Sequence, residues 1–199
     1  MISSGDALKS LAIEAALSPQ EEKLEVGQKK QKLYIGIPKE TEFQEQRVAL
    51  VPQSVGLLIA NGHRVVVETG AGINANFSDN DYSEAGAEIA YDTQEIYKAD
   101  IILKVTPPND NEINMMKHKQ ILFSALQLTV QPKSALKKLM DKKITAIAWD
   151  YIEDEGGSFP VIRSMGEIAG TTAFLIAAEL MSNANEGKGL MLGGVAGIT

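Results

Sequence analysis

Residues 34–52 read YIGIPKETEFQEQRVALVP, and this stretch decides the fold. The apolar run of Tyr34, Ile35 and Ile37 halts at Pro38, which has no N–H to give to a strand ladder. A polar, acid-rich loop follows, and Arg47 emerges from it just ahead of the apolar Val48, Ala49 and Leu50. Pro52 suits the first turn of a helix, where a missing N–H leaves no bond unmade. The pattern is a strand, a loop that projects one cation, and a helix. In an open α/β sheet ligands bind at the carboxyl ends of strands. Arg47 is therefore the first candidate for a functional side chain.

The same rhythm continues outward. Short apolar runs predict strands over 33–37, 64–68, 101–105, 121–125 and 145–149. Between them, amphipathic segments predict helices over 53–61, 79–87, 93–98, 112–117 and 132–142. Asn61-Gly62 is a helix stop, and Ser78 with Asp81 is a helix start. Strands alternating with helices imply a mostly parallel sheet covered on both faces. With right-handed crossovers this is a doubly wound α/β domain of flavodoxin/Rossmann type, expected to occupy residues 33–163.

The flanks differ. Residues 1–32 read as an extension, with Leu8, Leu11, Ala12, Ala15 and Ala16 on one face of a short helix that Pro19 ends, followed by a charged linker. In residues 164–182, Ser164-x-x-Glu167 has the form of a capping box. The helix it starts is apolar nearly all round over 168–181, so burial on several sides is expected; it reads as too short for a bilayer. The glycine-rich end, GKGLMLGGVAGIT, lacks the strand, spacing and following helix of a dinucleotide fingerprint.

Composition excludes several function classes. A chain of 199 residues, 44% hydrophobic and 23% charged, can bury one good core. The net charge of −7 and the lack of a basic block give no nucleic-acid-binding face. With no cysteine and two histidines, thiol chemistry and a Cys/His metal cage are excluded and no metal is expected. His118 lies in a charged segment and reads as solvent-facing, and His63 as a turn residue. No signal-peptide pattern and no apolar run of ~18 residues is visible, so a cytoplasmic protein is expected.

Two more strand ends carry candidates. Lys104 closes the run Ile101-Ile102-Leu103, where an ammonium would meet a ligand's carbonyl or carboxylate; the alternative is a lysine extending from a strand edge. Asp150 follows the strand at 145–149 and would orient Lys104 or substrate, or else is a loop carboxylate. For Arg47 the choice is a guanidinium fork that grips a carboxylate or a surface ion pair with Glu42 or Glu45.

The segments IGIPKE…RVA..P, ILKV.P and SM.EIAG resemble the signatures of the alanine dehydrogenase/pyridine nucleotide transhydrogenase family, in its N-terminal half. The resemblance implies that Arg47 and Lys104 bind a small 2-oxo acid such as pyruvate, and that Met165 lies at the cleft against substrate or cofactor. It implies an acid at Asp150. At Gln127, in FSALQLT, the alanine dehydrogenase branch carries a histidine that exchanges a proton with substrate. A glutamine amide does not titrate and can only hydrogen-bond. The resemblance further implies NAD as cofactor, NADP not excluded, bound mainly by a domain following residues 164–199, and a homo-oligomer with the apolar helix as a candidate contact. Three readings stay open: an alanine dehydrogenase-type oxidoreductase, for which GGSFP at 156–160 speaks; the NAD(H)-binding subunit of a membrane transhydrogenase; and a non-catalytic paralogue.

Overall fold

The computed structural model describes residues 32–193; the expected N-terminal helix lies outside them. Six strands form one parallel sheet: β1 (Tyr34–Ile37), β2 (Arg64–Glu68), β3 (Glu88–Ala90), β4 (Ile101–Leu103), β5 (Ile121–Ser124) and β6 (Thr145–Ala148). Their spatial order is β3-β2-β1-β4-β5-β6, that of the Rossmann fold. The helices are α1 (Pro52–Ala60), α2 (Asp79–Glu84), α3 (Thr93–Ile96), α4 (Asp110–Met115), α5 (Lys133–Asp141) and α6 (Pro160–Met181).

All five expected strands are present. The sixth, β3, was not legible: it is three residues at the sheet edge, Glu88-Ile89-Ala90, too short to show a period. Its addition extends a five-strand, flavodoxin-like order to the full six-strand one.

The strands read as continuous apolar runs because both faces are covered. Successive side chains point to opposite faces, so Val65 and Val67 join Ile35, Ile37, Val55 and Tyr82 on one side. Val66 joins Ile102, Leu122, Ile96 and Tyr97 on the other. Each fully buried Val or Ile contributes roughly 1.5–3 kcal/mol over the exposed state. Gly36 permits the closest approach: a Cβ there would sit 2.6 Å from the Ile96 carbonyl oxygen. The connection around α3 can therefore lie directly on β1.

Helix ends follow their sequence signals. Ser78 Oγ accepts from the Asp81 N–H (3.2 Å) while the Asp81 carboxylate accepts from the Ser78 N–H (2.6 Å). Asn61 caps α1, and Gly62 takes the left-handed turn after it, at φ 87°. Helix α4 starts two residues earlier than expected because Asn109 caps it, with Glu112 completing the box.

Helix α6 departs most from expectation. It begins at Pro160 rather than after Ser164, whose hydroxyl instead donates to the Pro160 carbonyl (2.9 Å), while Glu167 pairs with Arg163 (3.1 Å). No capping box forms, and none of the helix's 22 residues is buried. Among the described residues it has the length and apolarity of a membrane span, against the expectation of too short a helix. Its charge-free core, 168–178, would rise only ~16 Å, about half a bilayer's ~30 Å hydrocarbon thickness.

Gly36→Ala should lower stability by roughly 1–3 kcal/mol, the usual cost of overpacking a tight contact. Urea denaturation measures this, and an unchanged midpoint would refute the close approach of α3 to β1.

Candidate functional site

Crossovers from β1 run one way to β2 and β3, and those after β4 run the other way. The two central strands thus diverge at their carboxyl ends and leave a crevice. There lies a cleft of about 370 Å³ lined by Arg47, Val48, Leu50, Lys104, Val105, Phe123, Trp149 and Met165, among others. Arg47 comes from the segment after β1, Lys104 from the end of β4 and Met165 from the first turns of α6. Three of the five candidates therefore share one wall system.

Lys104 does not extend from an edge strand; its side chain is 1% exposed. Its Nζ lies 2.8 Å from Glu112 Oε1 and 3.2 Å from Glu40 Oε2. Both carboxylates are fixed in turn. Glu112 Oε2 accepts from the Asn109 N–H (2.8 Å) in the α4 capping box. Glu40 accepts from the Val105 N–H (2.6 Å), the Thr106 N–H (3.4 Å) and the Thr106 hydroxyl. The Lys104 carbonyl accepts from Trp149 Nε1 (3.3 Å), so the ring that floors the cleft also tethers the strand end. Neither Glu40 nor Glu112 was found from the sequence, where they read as a loop acid and a helix-start acid. The Tyr97 hydroxyl is buried without a partner. Burial, then the charges of Glu112 and Glu68, push its pKa well above the ordinary phenol value.

Arg47 combines both of its alternatives. It forks onto Glu45, Nε to Oε1 at 2.8 Å and Nη2 to Oε2 at 2.6 Å, yet it lines the cleft. Its Nη1 points to the Met165 sulfur at 3.7 Å. The guanidinium side-chain hydrogen bond holds the Glu45 carboxyl below its ordinary value and raises that of Arg47. Glu42 is not the partner.

Gln127 and Asp150 lie together in a neighbouring hollow with Thr129, Tyr151, Phe159 and Ile162. The Asp150 carboxylate accepts from the Leu126 N–H (3.2 Å) and the Gln127 N–H (3.3 Å). It therefore braces the loop after β5 rather than orienting Lys104. Gln127 sits there at φ 45°, in the left-handed region, with its side chain exposed. A backbone in that region is strained for a non-glycine residue and is held by its surroundings; here the Asp150 contact supplies part of the hold.

One stretch has dinucleotide-fingerprint spacing after a strand: Gly70-x-Gly72-x-x-Ala75. It does not fit a pyrophosphate. The Gly70 N–H already donates to Asp79 (2.8 Å), and a Cβ at Gly72 would meet Tyr82 at 2.6 Å. Asp79 and Tyr82 fill the space a phosphate would need.

Because the Glu45 carboxyl is depressed, its pair with Arg47 adds stability above the ordinary value of 4.5 and loses it as pH falls through the lowered one. Glu45→Gln should flatten that part of the acid limb when melting temperature is followed against pH. Parallel acid limbs in the two proteins would contradict the assignment.

Comparison with known proteins places this site in a family. The pattern described as "Alanine dehydrogenase/PNT, N-terminal domain" matches residues 36–169. Alanine dehydrogenase of Bacillus subtilis (strain 168) is 41% identical over 167 residues, 84% of this chain and 44% of that protein. The Methanococcus maripaludis alanine dehydrogenase is 39% identical, over 83% of this chain and 44% of its own length. A solved L-alanine dehydrogenase superposes with a TM-score of 0.76 at 37% identity, covering 83% of this chain and 45% of that one. A transhydrogenase from Sinorhizobium meliloti gives 0.55 at 30% identity, covering 59% and 34%. The chain spans less than half the length of the curated relatives it matches. With its sequence pattern and its six-stranded sheet in agreement, the chain belongs to the alanine dehydrogenase/pyridine nucleotide transhydrogenase family and corresponds to its N-terminal domain.

Proposed function

We propose that this chain is the substrate-side domain of an NAD-dependent oxidoreductase that interconverts pyruvate and alanine by reductive amination. One observation carries the reading: Arg47 and Lys104, from either side of the sheet's switch point, line one cleft with Met165. Arg47 receives the oxo-acid carboxylate through Nη1, the nitrogen it does not spend on Glu45. Lys104 receives an oxygen of the same ligand through an ammonium proton not bound to Glu112. The apolar lining from Leu50, Phe123, Trp149 and Met165 suits a nicotinamide ring, whereas no described residues suit its pyrophosphate. NAD is therefore held mainly outside the described residues, with NADP as the alternative. When bound, the nicotinamide supplies the hydride. This chain's residues position the acceptor and exclude water, which is how orientation lowers such a barrier.

A homo-oligomer in the cytoplasm goes with this reading, and α6, apolar and uncovered, is a contact surface within it. A second reading is the NAD(H)-binding subunit of a membrane transhydrogenase. Gln127 favours it, because an amide carries no proton to a substrate and hydride exchange between nucleotides needs none. The higher identity to alanine dehydrogenases ranks it second. Loss of chemistry altogether, in a paralogue that kept the fold, is what a silent assay of both reactions would indicate.

A longer protein that joins this chain to a nucleotide-binding domain, incubated with NADH, pyruvate and ammonium, should consume NADH faster than a control without ammonium, whereas residues 1–199 alone should be silent. Bound NADH with no turnover, but with hydride passed to an NAD analogue, would replace this function by the second. Lys104→Ala should abolish turnover and leave NADH affinity unchanged; surviving turnover would remove Lys104 from the site.

A further inference from the structure

We infer that Glu112 and Glu40 are positioning residues, which fix where the ammonium of Lys104 sits; the inference rests on the reading of Lys104 as an oxo-acid ligand. A lysine ammonium is a point charge on a flexible stem with three rotatable donors. Here one donor is taken by Glu112 at 2.8 Å, from the start of α4, and Glu40, from the loop after β1, holds the ammonium as an ion pair at 3.2 Å. The base of the side chain is fixed as well. The Lys104 N–H donates to the Phe123 carbonyl (2.8 Å), and its own carbonyl accepts from Trp149 Nε1. With stem and head both held, the ammonium has one position.

The charge count separates this from an ordinary structural ion pair. One carboxylate would neutralise the lysine; two leave a surplus negative charge among side chains that are 1–6% exposed. Burying surplus charge works against stability, and the bonds Glu40 accepts from Val105 and Thr106 fix it in place rather than neutralise it. Two carboxylates from different elements hold the ammonium from two sides, and one would not. Glu112 is bound into this role by the helix itself, because its other oxygen completes the capping box with Asn109. The start of α4 and the aim of the ammonium are one constraint.

Glu112→Gln tests this, since an amide oxygen can still accept from the Asn109 N–H and start the helix. Glu112→Asp is the conservative companion, with the charge kept and the reach shortened. The first readout is the ¹⁵N–¹H ammonium signal of Lys104, identified by its disappearance in Lys104→Arg. A slowly exchanging signal is expected in the native protein, lost in Glu112→Gln and partly restored in Glu112→Asp. The second is pyruvate binding in the presence of NADH, expected to weaken about tenfold in Glu112→Gln, the scale of one hydrogen bond to a charged group, with NADH affinity unchanged. Absence of a protected ammonium in the native protein overturns the inference outright. Native-like pyruvate affinity in Glu112→Gln, despite a lost signal, also overturns it. A protected ammonium in a protein that binds no pyruvate would overturn the proposed substrate instead and leave the clamp standing.

Discussion

An ammonium held between two carboxylates ties together three segments that are far apart in the chain. Glu40 belongs to the loop after β1, Lys104 to the end of β4 and Glu112 to the start of α4. β1 and β4 already pair through the sheet, Ile35 opposite Ile101. The ion cluster joins them again just past the point where the ladder stops. The strand ends beside the cleft are thus held together by charge as well as by the ladder. Inside a protein such a network is stronger than in water and less forgiving of a missing member.

Both cations of the cleft arrive already paired. Arg47 and Lys104 face Glu45, Glu40 and Glu112, so the groups closest to the cleft sum to one negative charge. An anion is therefore not drawn in by bulk field. In the proposed reading an oxo acid meets the guanidinium nitrogen not bound to Glu45 and the ammonium protons not bound to Glu112. Selection on that basis depends on shape and direction, which explains why so many hydrogen bonds are spent on fixing the carboxylates.

Much of the fold was legible because a parallel sheet covered on both faces leaves continuous apolar runs, and five such runs were readable. β3 was not, since three residues at an edge carry no period. Arg47 and Lys104 could be found because strand ends are marked by the halt of an apolar run. Their partners could not, because Glu40 and Glu112 become neighbours of Lys104 only when the topology brings three loops together. Asp150 stayed open between Lys104, substrate and a loop role for the same reason: its position at a strand end was readable, but its direction toward the loop after β5 was not. In α6 the apolar pattern was read as burial. Periodicity reports which side chains avoid water, and says nothing of what covers them.

The order of the strands also bears on how the chain comes to be folded. β1 is synthesised first, yet it occupies the middle of the sheet. Its partner β2 follows 30 positions later, Tyr34 opposite Arg64, and β4 follows 66 positions later, Ile35 opposite Ile101. A nascent chain therefore carries the central strand of the sheet with one flank open until Ile101 has emerged. Closing so long a loop costs entropy before the contact rewards it. Until then β1 is an open edge strand, the kind of element that can pair with another chain.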